Sequence, residues 1–346
     1  MKAFAWSSCA LLVLVSPGLA MAGAERVGTT AANFLSIGSG PRALGMGGAT
    51  LGVSSGLATC AWNAGSLGWT SETEIALSHA GLAEGSAQEW IGVGGGLGLS
   101  RVRWSVSTLY QTQGSFAGRD ASNQSTGSFD ASSMAVGGHL ARPIGRKVAV
   151  GFGGKWVNES MGSLLRGTGF TFDAGAQVRT GGLGFGVAAQ NIGGQMRFGG
   201  ENYPFPSNIG AGLAYEHKKS GLSADVDVNF PTAYYNDVRG GVEWSWQDRL
   251  ALRAGYRKEL GAPSDDNLTG PTFGLGAGAH GLWLDYAFLI PGGGDGQHRM
   301  GLAFRPGAGH WRPGDPFGQR QMPREFEPST MVGPPAPDSG KKKKNE

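Results

Sequence analysis

Two cysteines in 346 residues exclude a disulfide framework. Cys9 lies in an N-terminal stretch that reads as a removable leader, which leaves Cys60 alone as a small packed side chain. Charge is also scarce, at 16% of residues against the ~25% of ordinary soluble domains. The formal net charge of +3 includes the run Lys341 to Lys344, so nothing in it argues for nucleic acid as a partner. No later run approaches the ~20 apolar residues of a spanning helix. Phosphate-cradle motifs fail as well: Gly154 and Lys155 are followed by Trp156 where a P-loop needs Ser or Thr. The glycines from Gly94 to Gly98 sit in a strand pattern with no helix behind them. His79, His139, His217, His280, His298 and His310 lack metal-ligand spacing, and no G-x-S-x-G elbow occurs. The expectation is a non-enzymatic chain with no catalytic residues, no metal site and no cofactor.

What the sequence has in excess is glycine, 63 residues without a collagen period. It also has a persistent two-residue rhythm. The leader comes first: Lys2, the apolar run Cys9 to Val15, and the A-x-A site Ala20, Met21, Ala22, giving a signal peptide over 1–22 and cleavage before Gly23. From Glu74 onward apolar residues recur at every second position, the period of a strand with two unlike faces. In one such run Leu222, Ala224, Val226, Val228 and Phe230 oppose Ser223, Asp225, Asp227 and Asn229. In the next, Val238, Val242, Trp244 and Trp246 oppose Asp237, Arg239, Glu243 and Ser245.

About fourteen runs are expected, each near the ~9 to 11 residues that a tilted strand needs to cross a bilayer. They fall near 73–82, 88–99, 101–112, 127–141, 145–158, 166–179, 182–191, 205–216, 220–230, 236–245, 248–258, 269–279, 280–289 and 297–305. Short links around Ser100, Pro143 to Gly145, Gly181, Lys218 to Ser220, Gln247 to Asp248 and His280 alternate with longer ones rich in Gly, Ser, Asn and Pro. That alternation is the mark of an outer-membrane barrel with short periplasmic turns and longer outside loops. A soluble β-sandwich would alternate too. It would have to bury or expose to water Trp104, Trp156, Trp244, Trp246, Tyr256, Tyr286 and Phe288, which suit membrane-interface girdles better. The fold expected is therefore all-β: a transmembrane antiparallel barrel over 72–305, in contact with outer-membrane lipid, with both termini in the periplasm.

The charges opposite the apolar face point into the lumen in this register. Asp225, Asp227, Arg239, Glu243 and Arg253 lie on three consecutive strands, where opposite charges can pair along the wall. Gly92, Gly94, Gly96 and Gly98, and Gly274, Gly276 and Gly278, fall on the same inward face. Wall without side chains leaves room for something inside.

Residues 23–71 are the expected occupant, an N-terminal Gly-rich plug or hatch. The stretch Ile37 to Leu67 is nearly uncharged, with Arg42 its one charged residue. Phe34, Leu35, Ile37, Gly38, Gly40, Arg42, Ala43, Leu44, Gly45, Met46, Gly47, Gly48 and Ala49, followed by Trp62, Asn63 and Leu67, resemble the start of the PorV/PorQ family of outer-membrane proteins, relatives of the FadL-type barrels. Where that family has WNPAGL, this chain has Ala64 in place of proline. The resemblance implies a component of a protein secretion or surface-attachment machine, meeting envelope proteins through its outside loops and plug. The alternative it leaves open is a FadL-like channel for small hydrophobic compounds. From Pro306 the rhythm stops, and eight of the 17 prolines fall in 306–346, so a semi-extended, Lys-ended periplasmic tail is expected there. Trp311, Phe317 and Phe326 are its candidate docking points for a partner.

Overall fold

A computed structural model describes residues 28–306 apart from 53–55, 71, 83–84, 99, 163–164, 248, 264–267 and 293–295. The leader and the tail beyond Pro306 lie outside the described residues. Sixteen strands are present among those described: β1 Glu74–Gly81, β2 Ala87–Gly96, β3 Arg103–Arg119, β4 Ser125–Ile144, β5 Val148–Met161, β6 Leu165–Thr180, β7 Leu183–Ile192, β8 Gln195–Phe198, β9 Glu201–Pro204, β10 Asn208–His217, β11 Leu222–Pro231, β12 Asp237–Trp246, β13 Leu250–Glu259, β14 Gly270–Ala279, β15 Leu282–Leu289 and β16 Gln297–Phe304.

Fourteen of them close a ring. Each pairs antiparallel with the next, β7 pairs with β10, and β16 returns to β1 through Ile75 opposite Phe304 and His79 opposite Met300. The remaining two, β8 and β9, form a small hairpin attached to β6 at Thr168 and Gly169. Closure leaves no unpaired sheet edge in the ring, the condition for strands to lie in hydrocarbon.

The burial pattern is inverted relative to a soluble protein. Large apolar side chains such as Ile91, Leu140, Phe152, Phe170, Leu213, Val226, Leu252, Phe273, Leu284 and Met300 are exposed, while Gln177, Glu74, Glu243, Asp227 and Arg253 are buried. Water around the first set would cost far more than the polar interior, so this surface fits acyl chains. A sandwich would show the reverse. Trp244, Trp246 and Tyr256 stand exposed on the outer face, whereas Trp104, Trp156, Tyr286 and Phe288 are half-buried. Trp90 and Trp283 turn inward instead.

Most strands begin and end within a few residues of the expected runs. Two differences stand out. β3 and β4 continue as a paired ribbon through Phe116 opposite Phe129 and Arg119 opposite Ser125, where a loop over 112–127 is expected. Its Ser- and Gly-rich sequence carries no apolar rhythm, and the ladder is closed locally by Asp120, whose Oδ1 accepts from the amides of Ser122 and Gln124 at 2.9 Å. The hairpin β8–β9 falls in the expected loop 192–204, held by Met196 packing against Phe34 and Phe205.

Short turns gather at one end of the barrel and long connections at the other. At the short-turn end His280 (φ 52°) and Gly281 (φ 83°) join β14 to β15, a two-residue turn whose positive φ values suit the twist of the flanking strands. The expectation that both termini share one side falls on residues outside those described. Phe304 ends at the short-turn end, but residues 28–36 lie at the long-loop end, where the Ala31 amide donates to Pro204 O and the Ala32 amide to Glu159. An even strand count returns β1 and β16 to one end, yet the segment before β1 runs the height of the lumen.

Depth on the lipid face is testable. Val226→Arg near the middle of β11 is expected to cost about 2–4 kcal/mol, and Leu222→Arg at its short-turn end about 0–1 kcal/mol. Urea titration of the barrel folded into lipid vesicles, followed by its heat-modifiable gel mobility, measures the difference.

Candidate functional site

The described residues of 28–70 contact the inward-facing wall and, at the long-loop end, the β8–β9 hairpin. Glycine and proline keep the segment from forming long helix, so it runs as short pieces: a 3-10 turn at Asn33–Ser36, helix α1 at Pro41–Gly45, and 3-10 turns at Leu57–Ala61 and Ala64–Trp69. Such backbone has many N–H groups without local acceptors, and the wall supplies them. Asp227 Oδ2 accepts from the Thr50 amide at 2.7 Å and the Leu51 amide at 3.0 Å. Glu74 Oε1 accepts from the Leu57 amide at 2.7 Å, and Thr272 Oγ1 from the Gly47 amide at 2.8 Å. In the other direction Gln177 donates to Leu51 O at 2.9 Å and Gln190 to Ala61 O at 2.8 Å.

Each residue of the N-terminal motif has a definite position. Phe34 packs with Val157, Met196 and Phe205 at the long-loop end. Ile37 and Gly38 line a cavity beside Trp62, whose Nε1 donates to Ser39 O at 2.9 Å. Gly40, at φ 84°, precedes α1. Arg42 makes a fork to Glu243, Nε to Oε2 and Nη2 to Oε1, both at 2.8 Å. Gly45 faces the backbone of Gly274, and Met46 lies against Gly241 and Gly255. Gly47 adopts φ 72°, and a Cβ there would meet the Tyr256 backbone at 2.9 Å, so glycine is required twice over. Gly48 sits beside Arg239 and Trp62, with the Arg239 guanidinium 5.5 Å from the indole centroid. Asn63 donates to Leu51 O and Ala176 O, and its Oδ1 accepts from the Gly65 amide at 2.9 Å. That cap forms the turn after Asn63 without the proline.

The five wall charges do not make an open ring. Asp227 is occupied by segment amides and Glu243 by Arg42. Arg253 bridges Glu243 and Asp285, with 2.6 Å from its Nη1 to Asp285. Asp225 is buried beside Arg42, Ala43 and Thr50. Arg239 alone of the five reaches the cavity, held by a fork to Asp237 at 2.7 and 2.8 Å. What lies over the inward glycines differs from expectation in part. Gly94 makes room for Leu57 and Gly274 for Gly45, whereas Gly92 lies under Trp90 with Leu57 farther off. Gly276 and Gly278 instead lie under Trp283, Gly96 under Arg103, and Gly98 is in a turn at φ 56°.

The cavity lies between the segment and the long-loop end. Its larger part holds about 370 Å³ and is floored by Ile37, Gly48 and Trp62, with Leu268, Leu289 and Ile290 on its walls. A contiguous part, sharing Ile37, Trp62 and Arg239, reaches Leu35, Trp90 and Leu109. Register alone places glycine and charge on the inward wall; the apolar lining comes from the segment, the loops and a strand end. Three guanidiniums face it, those of Arg239, Arg257 and Arg299. Arg257 is held by Asp237 and Glu259. Arg299 is 3% exposed, and its one side-chain partner among the described residues is Gln297.

A further buried group escaped sequence reasoning, since its members are far apart in the chain. Cys60 Sγ is 3.5 Å from Ser105 Oγ and 3.9 Å from His139 Nδ1. His139 Nε2 and Lys155 Nζ meet Asp173 Oδ2 at 3.0 and 2.9 Å. Among the described residues no group of three His, Cys, Asp or Glu could hold a metal ion.

This arrangement defines a closed antiparallel barrel with an apolar outer face and an occupied lumen. No protein-family model matches the chain, and no curated protein matches its sequence. Solved structures do resemble its fold. The CymD monoaromatic hydrocarbon channel is 13% identical over 78% of this chain and 97% of its own, at a TM-score of 0.54. A Pseudomonas aeruginosa FadL homologue is 10% identical over 77% and 98%, at 0.53. A deltaS2S3 mutant of the TodX monoaromatic hydrocarbon channel is 11% identical over 77% and 97%, at 0.52. At these identities the likeness is one of fold.

Glu243→Ala strands Arg42 in the lumen and removes one acceptor of Arg253. It is expected to destabilise the folded barrel by about 3 kcal/mol, read as a lower urea midpoint, and to raise ion conductance across a planar bilayer as the segment loosens.

Proposed function

We propose that this chain is an outer-membrane channel for small hydrophobic compounds, with the long-loop end outside, the short turns in the periplasm, and residues 28–70 as the plug. The observation that carries the reading is the cavity above the plug. Its volume is in the range of small-molecule sites, and its floor and walls are Ile37, Trp62, Leu268, Leu289 and Ile290. The channels of similar fold include two for monoaromatic hydrocarbons, which supports the same class of solute here. Chemistry on the solute is not part of the proposal. Binding needs only apolar contact with Trp62 and its neighbours, and Arg239, Arg257 and Arg299 offer donors to a polar end. Passage then requires the plug to yield at contacts such as those of Thr50 and Leu51 with Asp227.

The secretion or surface-attachment reading rests on the residues shared with the PorV/PorQ pattern. One structural feature favours it: the β3–β4 ribbon continues beyond its pairing with β2 and β5 and carries a stacked Phe116–Phe129 pair at the long-loop end. That pair offers an apolar contact for a protein. The channel reading takes precedence because it uses the cavity.

Toluene titrated into the purified barrel is expected to quench or shift tryptophan fluorescence saturably. Trp62→Ala should weaken that binding about tenfold through lost apolar contact. Vesicles holding the barrel should take up labelled hydrocarbon faster than empty ones. A barrel that binds no hydrocarbon, yet co-purifies from native membranes with a discrete set of envelope proteins, would point to the secretion machine instead.

A further inference from the structure

We infer that the short-turn rim holds a binding site for the phosphate of an anionic glycerophospholipid, between the β4–β5 and β10–β11 turns. The site is separate from the cavity and requires of the proposed function only that the outer face meets lipid. It is a pocket of about 410 Å³ lined by Trp69, Arg146, Arg179, Tyr215, Glu216 and Lys218 among others. Three cations thus line a space that has one carboxylate, Glu216. His217 also lines it, with its Nδ1 2.8 Å from Ser220 Oγ.

Charge points to an anionic ligand, since Arg146, Arg179 and Lys218 line the pocket against one carboxylate. The Arg179 guanidinium lies 4.6 Å from the Trp69 ring centroid, so the indole holds one cation in place at the inner wall of the pocket. Arg146 and Lys218 come from exposed turns on either side, followed by exposed Lys147 and Lys219.

The shape of the surroundings selects a lipid over a soluble anion. Tyr215 lines the pocket and is also 49% exposed on the outer face of β10. Below it run Leu213 on the same strand and, on β7, Leu183 opposite Tyr215 and Phe185 opposite Leu213, all exposed. The pocket therefore opens onto an apolar track, along which an acyl chain can lie while its phosphate reaches the cations. Arg142, exposed on the outer side of β4 two residues before Ile144 at the rim, carries a further charge at headgroup height.

Native mass spectrometry of the full chain in detergent, titrated with dioleoyl phosphatidylglycerol or dioleoyl phosphatidylcholine, tests this. Phosphatidylglycerol is expected to bind about tenfold more tightly. The double variant Arg146→Ala with Lys218→Ala should lose that preference, and Arg146→Lys with Lys218→Arg should keep it. Lys218→Ala alone, in an exposed turn, should lower it in part and guards against a folding defect in the double variant. Equal binding of the two lipids, an unchanged preference in the double variant, or displacement of the lipid by millimolar sodium phosphate would overturn the site. A chain that binds neither lipid and stays in solution without detergent would overturn the membrane reading instead.

Discussion

Irregular backbone threaded through a closed sheet has N–H and C=O groups that no ladder satisfies, and everything inside this barrel follows from meeting that demand. The wall meets it with side chains. Asp227, Glu74 and Glu159 accept from amides of the interior segment, Gln177, Gln190 and Gln88 donate to its carbonyls, and Thr272 does both. Arg42, the one charge in the stretch from Ile37 to Leu67, finds Glu243 already shared with Arg253. The polar lumen is thus a set of sockets. A network of this sort favours one arrangement, because a slip leaves further buried donors unpaired.

Close approach is the second requirement, and glycine meets it from both sides. Gly255 and Gly241 lie against Met46, Gly186 against Leu51, Gly151 against Ala64, each with no space for a Cβ. Backbone meets backbone across these contacts, so the side chains that hydrogen-bond can be short and well defined. The excess of glycine is therefore paired with the scarcity of charge: a lumen filled by chain needs few ions and much smooth wall.

Filling is incomplete toward the long-loop end, and the function proposed depends on that remainder. Trp62 and Ile37 close its floor, Leu268 and Ile290 belong to the connections above, and Leu289 ends β15. The apolar character of the chamber comes from parts of the chain outside the barrel strands or at their ends. The arginines on its wall are inward strand residues like the sockets below, yet Arg299 has no carboxylate beside it among the described residues. The same division of labour recurs at the opposite rim, where Trp69 from the segment and cations from the turns share one pocket.

The strands, their number and the sign of each face were legible in the sequence, since a period of two is a local property: Leu222 to Phe230 reads as a two-faced strand whatever surrounds it. Inward placement of Asp225, Asp227, Arg239, Glu243 and Arg253 came with the same rhythm. Their partners did not. Whether Asp227 holds a wall cation or two amides of residues 50 and 51 depends on where a distant segment lies, and no spacing within β11 encodes that. Gly94 and Gly276 look alike in sequence, but Leu57 occupies the space over one and Trp283 the space over the other. The β3–β4 ribbon was hidden because its pairing comes from backbone ladders in Ser- and Gly-rich chain, with no apolar rhythm to announce it. Local periodicity determined the barrel wall; the cavity, the sockets and the path of residues 28–70 up the lumen were decided only by tertiary structure, because each joins groups that covalent distance keeps apart.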